Sequence, residues 1–128
     1  MRSTFLLLLA VLTVGCATNV RLERFDTTIR AYERALRWSD FQAAFVLAGN
    51  ADTPPPDFRR LQNIRVTSYE TLGAAQGNDD TSRMAQVVEI RYVNVANMSE
   101  RVLTDQQVWV YSESDRRWRL RSVFPVFP

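Results

Sequence analysis

Apolar positions in the first half of the chain recur at steps of three and four. Leu22, Phe25, Ile29, Tyr32 and Leu36 form one face of an amphipathic helix. Arg24, Arg30, Glu33, Arg34 and Arg37 mostly fall elsewhere around it, and Glu33 and Arg37 make an i,i+4 pair in the favourable order. Trp38 closes this helix. Ser39 reads as the N-cap of a second, shorter helix that turns Phe41, Ala44, Phe45 and Ala48 inward and stops at Gly49 and Asn50. Pro54, Pro55 and Pro56 fit neither a helix interior nor a central strand, so they predict a rigid crossover. Asp57 caps one further turn. Beyond it the period changes to two, which predicts strands over 64–72, 83–95, 101–111 and 117–124, joined as antiparallel neighbours.

Face chemistry suggests a register. Setting Val95 opposite Arg101 and Tyr111 opposite Arg117 gathers the charges on one face and the apolar residues on the other. The inner face then holds Val88, Ile90, Tyr92, Val102, Val108, Val110, Trp118, Leu120 and Phe124, to be covered by the helices. Gln86, Thr104, Gln106 and Ser122 join Tyr92 there, and buried amides and hydroxyls need partners. Tyr92, Thr104, Gln106 and Ser122 are therefore candidates for a small pocket taking a neutral, partly apolar ligand; the alternative is a satisfied polar cluster. The outer face carries Trp109, Tyr111, Arg117, Arg119 and Arg121 beside Val87, Val93 and Leu103. Trp, Tyr and Arg are the residues enriched at binding hot spots, so this is a candidate surface for an envelope protein or a second copy of the chain. A Glu89–Gln107–Arg121 row, an Arg91–Asp105 pair and Arg119 stacked over Trp109 are expected on the same side. The expected architecture is α+β: N-terminal amphipathic helices packed on a curved, cone-like, four-stranded antiparallel sheet.

Length and composition narrow the chemistry. The chain has 128 residues, enough for one domain, and 46% hydrophobic residues, which argues against disorder. Histidine is absent and every basic residue is arginine, so His-based triads, imidazole metal sites and lysine chemistry are excluded. The single cysteine excludes an internal disulfide. No glycine-rich phosphate loop, metal-ligand spacing or internal repeat is present, so no cofactor is expected.

The first residues have the order of an export signal: Arg2, then an apolar run from Phe5 to Val14 too short to span a bilayer, then Gly15 and Cys16. Thr13-Val14-Gly15-Cys16 resembles the lipobox of bacterial lipoproteins, departing from it at Thr13, where Leu is usual. The resemblance implies a signal peptide over 1–15, lipid attachment at Cys16 and a lipidated tether over 16–21. A single domain over 22–128 follows. Several acyl chains anchor a protein far better than one. Ala17 in place of Asp favours, by the same resemblance, the outer membrane facing the periplasm. Cleavage before Cys16 removes Arg2 and leaves a formal charge of +1, which gives no case for nucleic acid.

The run from Tyr32 to Phe45 resembles the opening of the nuclear transport factor 2-like superfamily, and 108–111 with 117–120 resemble its closing hairpin. The cystatin-like layout is the alternative. The resemblance implies a cone with a pocket between sheet and helix. Its members include isomerases, cyclases and dehydratases as well as binding and assembly modules, so fold does not select a function. Enzymes of that superfamily typically use an Asp or His inside the cone; the register above puts Asp105 and Glu89 outside, and Asp40 reads as a cap. The expected function is a membrane-anchored binding or assembly module, with a small-molecule isomerase or cyclase as the alternative.

Overall fold

Helical spacing carries the chain without a break through α1 (Arg2–Arg37), followed by α2 (Phe41–Ala48) and α3 (Phe58–Leu61). The strands are β1 (Ile64–Gly77), β2 (Asp80–Asn94), β3 (Ser99–Ser112) and β4 (Arg117–Leu120). The structure, a computed structural model, describes the backbone of residues 2–49, 52–77 and 80–128, with side chains from Val20 onward except Asp80. The Cys16 side chain lies outside the described residues. Among the described residues no helix is long and apolar enough to cross a membrane.

The fold is α+β, with helices on one face of an antiparallel sheet ordered β1-β2-β3-β4. Three register shifts, between Val66 and Ser68, between Thr71 and Gly73 and between Gln76 and Gly77, interrupt the β1–β2 ladder. Bulges of this kind bend the strand that carries them. Tyr32 and Leu36 of α1 and Phe41, Ala44 and Ala48 of α2 are buried against Val88, Ile90, Tyr92, Trp118 and Leu120 of the sheet. After β4 the tail folds back. Phe124 and Phe127 enter the core, and Phe127 packs edge-on against Phe41 and Tyr92, with ring centroids 5.1 Å apart in both pairs.

The join between α1 and α2 departs from the expected cap at Ser39 and agrees with the reading of Asp40 as a cap. Asp40, not Ser39, is the N-cap of α2: its Oδ1 accepts the Ala43 N–H at 3.0 Å. Ser39 instead terminates α1 in the left-handed region, φ 58°, where the Ser39 N–H reaches Leu36 O and the Asp40 N–H reaches Ala35 O at 2.8 Å. Glycine is the usual residue there. Serine has a second duty: its Oγ accepts the Val66 N–H at 2.9 Å, tying the helix end to β1. Asp57 caps α3 as expected.

The strands fall where expected in order and direction, but β3 is turned over. Arg101 lies opposite Tyr92 rather than Val95, and Tyr111 lies opposite Trp118 rather than Arg117. These are slips of three residues and one. Both are odd, so β3 alone exchanges its faces while β2 and β4 keep theirs. Val102 is consequently exposed, Val108 and Val110 are only half-buried, and Asp105, Gln107, Trp109 and Tyr111 point into the core. The cause is turn chemistry. Each turn has four residues, 95–98 and 113–116, and ends on a left-handed residue, Met98 at φ 55° and Arg116 at φ 54°. Asn94 Oδ1 accepts the Ala96 N–H and Asn97 Oδ1 the Ser99 N–H, both at 3.0 Å, which fixes the first turn's length.

Candidate functional site

The inverted β3 builds a polar network on the helix-facing side of the sheet. Gln107 stands opposite Gln86 in the ladder and sits at its centre. Its Oε1 accepts from Gln86 Nε2 at 2.7 Å and from Trp109 Nε1 at 3.1 Å. Its Nε2 donates to Asp105 Oδ2 at 2.7 Å and to Tyr69 Oη at 3.2 Å. Alternation along β3 puts Asp105, Gln107 and Trp109 on one face, while the bulges in β1 bring Tyr69 round to meet them.

Asp105 is only 7% exposed and pairs with no cation among the described residues. Burial pushes its pKa above the ordinary carboxyl value, and the hydrogen bond from Gln107 offsets only part of that rise. Burial likewise raises Tyr69, and the Asp105 charge adds to the effect, so this phenol stays protonated. Tyr32 is raised for the same two reasons. Its hydroxyl is buried without a hydrogen-bond partner among the described residues. The set is thus a carboxyl group biased towards its neutral form beside two protonated phenols, a grouping able to hold a proton or donate hydrogen bonds. Aromatic rings enclose it. Tyr32 meets Trp109 edge to face at 5.1 Å and Phe124 at 6.4 Å. No group of three or more potential metal ligands occurs among the described residues.

No family model, curated protein or solved structure matches the chain.

The structure does not bring together the four pocket candidates. Tyr92 is buried, and its hydroxyl donates to Pro128 O at 3.3 Å. Thr104 and Gln106 are exposed on the opposite face of the sheet, as the inversion of β3 requires. Ser122 lies past β4, where its Oγ accepts the Val108 N–H at 3.1 Å. The candidate partner surface is also divided. Trp109 and Tyr111 are core residues; Arg117 and Arg121 are exposed, and Arg119 is half-buried.

Arg119 does not stack on Trp109. It donates to Gly49 O at 2.8 Å and pairs with Asp115. Gly49 needs its left-handed φ of 64° to cap α2, and that turn presents the carbonyl. Arg91 pairs with Glu89 at 2.9 Å, not with Asp105. The residues missed as a group are Tyr32, Tyr69, Asp105 and Gln107. The signal that could have found Asp105 and Gln107 is Asp105-x-Gln107-x-Trp109-x-Tyr111, one period-two stripe.

Tyr111 and Trp118 instead clamp the beginning of the domain. Arg21 lies over the Tyr111 ring at 5.2 Å and pairs with Glu113. Arg24 Nη1 donates to Tyr111 Oη at 3.2 Å, and Trp118 Nε1 donates to Arg21 O at 2.9 Å.

Two surface grooves lie at the far end of α1 and share one wall, Trp38. The first, of about 550 Å³, runs beside Arg30, Arg34, Arg37 and Thr67. The second, of about 930 Å³, runs beside Asp40, Gln42, Arg59, Asn63 and Arg65. Trp38 is 82% exposed, whereas Trp109 and Trp118 are 0% and 2% exposed.

Proposed function

We propose that the chain is a lipid-anchored protein of the bacterial cell envelope, held through Cys16 on the outer membrane and facing the periplasm, whose domain is a binding or assembly module. The observation that carries the anchor is the order Arg2, apolar run, Gly15 and a lone cysteine at 16. The arrangement beyond it supports the reading: α1 runs on from this segment, and the β3–β4 turn grips the helix at Arg21 and Arg24, only a turn or two later. A module of this kind works through its surface, and here the interior is occupied by interlocking rings. The helix-on-sheet layout is also the one implied by the resemblance to the nuclear transport factor 2-like superfamily, although that layout names no activity. The partner on this reading is another envelope protein or a second copy of the chain. Cys16→Ser tests the anchor. The variant is expected to lose incorporation of labelled palmitate and to leave the membrane fraction; unchanged labelling and partitioning would overturn it.

One observation favours the second reading, an enzyme of isomerase or cyclase type. Asp105 is an ionisable group on the helix-facing side of the sheet with a raised pKa, and such groups concentrate at functional sites. As a catalytic residue it would exchange a proton with substrate while Tyr32 or Tyr69 donated a hydrogen bond. That requires the rings to part. Carbodiimide coupling of glycinamide under native conditions, mapped by mass spectrometry, measures access. We expect exposed acids such as Glu70 and Glu100 to be modified and Asp105 to be spared. Labelling of Asp105 at a comparable rate would favour the enzyme.

A further inference from the structure

We infer that the surface around Trp38 is a docking site for an acidic polypeptide segment of a partner protein. This names a partner for the binding module proposed above, and rests on that reading for the partner's setting.

The first observation is the indole. The fold buries two of its three tryptophans and leaves Trp38 in solvent between two grooves. Its place is fixed. The left-handed turn at Ser39 ends α1 beneath it, and the bond from the Val66 N–H to Ser39 Oγ ties that turn to β1. An exposed indole on a fixed helix end, flanked by guanidinium groups, has the composition of an interface hot spot.

The second observation is charge. The two grooves are lined by five arginines, at 30, 34, 37, 59 and 65, against two acids, Glu33 and Asp40. The whole chain is nearly balanced, with 16 basic and 14 acidic residues, so this end is a local excess. Both acids are already engaged. Asp40 caps α2, and Glu33 pairs with Arg37 at 3.4 Å. Arg34 and Arg59 form no ion pair among the described residues. An acidic segment would supply the missing carboxylates, and Gln42 and Asn63 offer amide donors and acceptors for its backbone.

Position selects against the anchoring membrane as the anionic partner. Trp38 stands 22 residues beyond Cys16, and along a helix that is about 33 Å at 1.5 Å per residue. The indole stands just past the end of α1 that is remote from Cys16.

The test uses the full lipidated chain in phosphatidylcholine vesicles. Fluorescein-labelled 12-residue peptides of repeated Glu-Glu-Phe and of repeated Lys-Lys-Phe are the probes, read by anisotropy. The Glu peptide is expected to bind, at least tenfold more tightly than the Lys peptide, and less tightly as salt is raised. Trp38→Ala and the double variant Arg34→Gln, Arg59→Gln should each weaken it at least tenfold with unchanged thermal melts. The proposal is overturned by Glu-peptide binding that Trp38→Ala leaves intact, by no binding at millimolar peptide, or by recruitment of phosphatidylglycerol vesicles through Trp38 without peptide binding. Repeating the titration on Cys16→Ser in detergent separates the two readings, because peptide binding there does not depend on acylation.

Discussion

Trp109→Ala is expected to remove about 3–5 kcal/mol of folding stability, the usual loss for a large buried aromatic. A domain of this size commonly holds only about 5–15 kcal/mol in reserve, so the variant should unfold at far lower urea than the parent. Three things are lost together. Tyr32 loses its edge-to-face partner at 5.1 Å, Gln107 Oε1 loses the indole N–H at 3.1 Å, and a fully buried volume is left empty. Trp38→Ala provides the internal contrast. With that side chain 82% exposed, its unfolding free energy should stay within about 0.5 kcal/mol of the parent. Chemical denaturation followed by far-ultraviolet circular dichroism measures both. A loss below about 1 kcal/mol for Trp109→Ala would mean that β3 presents its other face to the helices.

Asp105→Asn should act in the opposite direction, raising stability at neutral pH by about 1–3 kcal/mol, the scale of an uncompensated buried polar group. Burial raises the folded-state pKa of Asp105 above its ordinary value of 3.8. The folded chain therefore binds this proton more tightly than the unfolded chain. The stability it contributes is complete below about pH 4 and is lost as pH rises through the folded-state pKa. Asp115 has the reverse sign. Ser112 and then Arg119 hold it below 3.8, so its contribution is present above that pH and lost as pH falls further. The two windows lie on opposite sides of 3.8, so a series upward from pH 4 lies on the Asp105 side. The parent should lose stability across that series, and Asp105→Asn should be flatter. Parallel curves would show that the carboxyl group is solvated and that the network around Gln107 is open to water.

The helical half of the fold was legible because its signals are local. Phe25, Ile29, Tyr32 and Leu36 do face the sheet, Asp57 does cap α3, and Phe124 is buried. The error at Ser39 is instructive, because serine and aspartate are both good caps and stand side by side. What separates them is the hydrogen bond to Val66, 27 residues away. The strands were legible in number and order but not in phase. A stripe such as 105-107-109-111 alternates equally well on either face, and the choice depends on turns of four residues rather than five. Those lengths are written in Asn94, Asn97 and the left-handed Met98 and Arg116, a weaker signal than the strands they join. Grouping charges on one side misled for a physical reason. Asp105 is buried with amides and phenols in place of a cation, and residue type alone assigns such a carboxylate to the surface. The candidate pocket fell with the same error, since Thr104 and Gln106 belong to the stripe that faces water.

The clamp on Arg21 has a mechanical consequence for an anchored molecule. Its grip points, Glu113, Tyr111 and Trp118, belong to the β3–β4 hairpin, and β4 is joined to β3 by only four paired positions. If Cys16 carries acyl chains as proposed, drag on them would be transmitted along α1 and reach this shortest strand before the long ladders of β1, β2 and β3. Under load the sheet would therefore part first at its β4 edge, leaving the ring-packed interior to yield last.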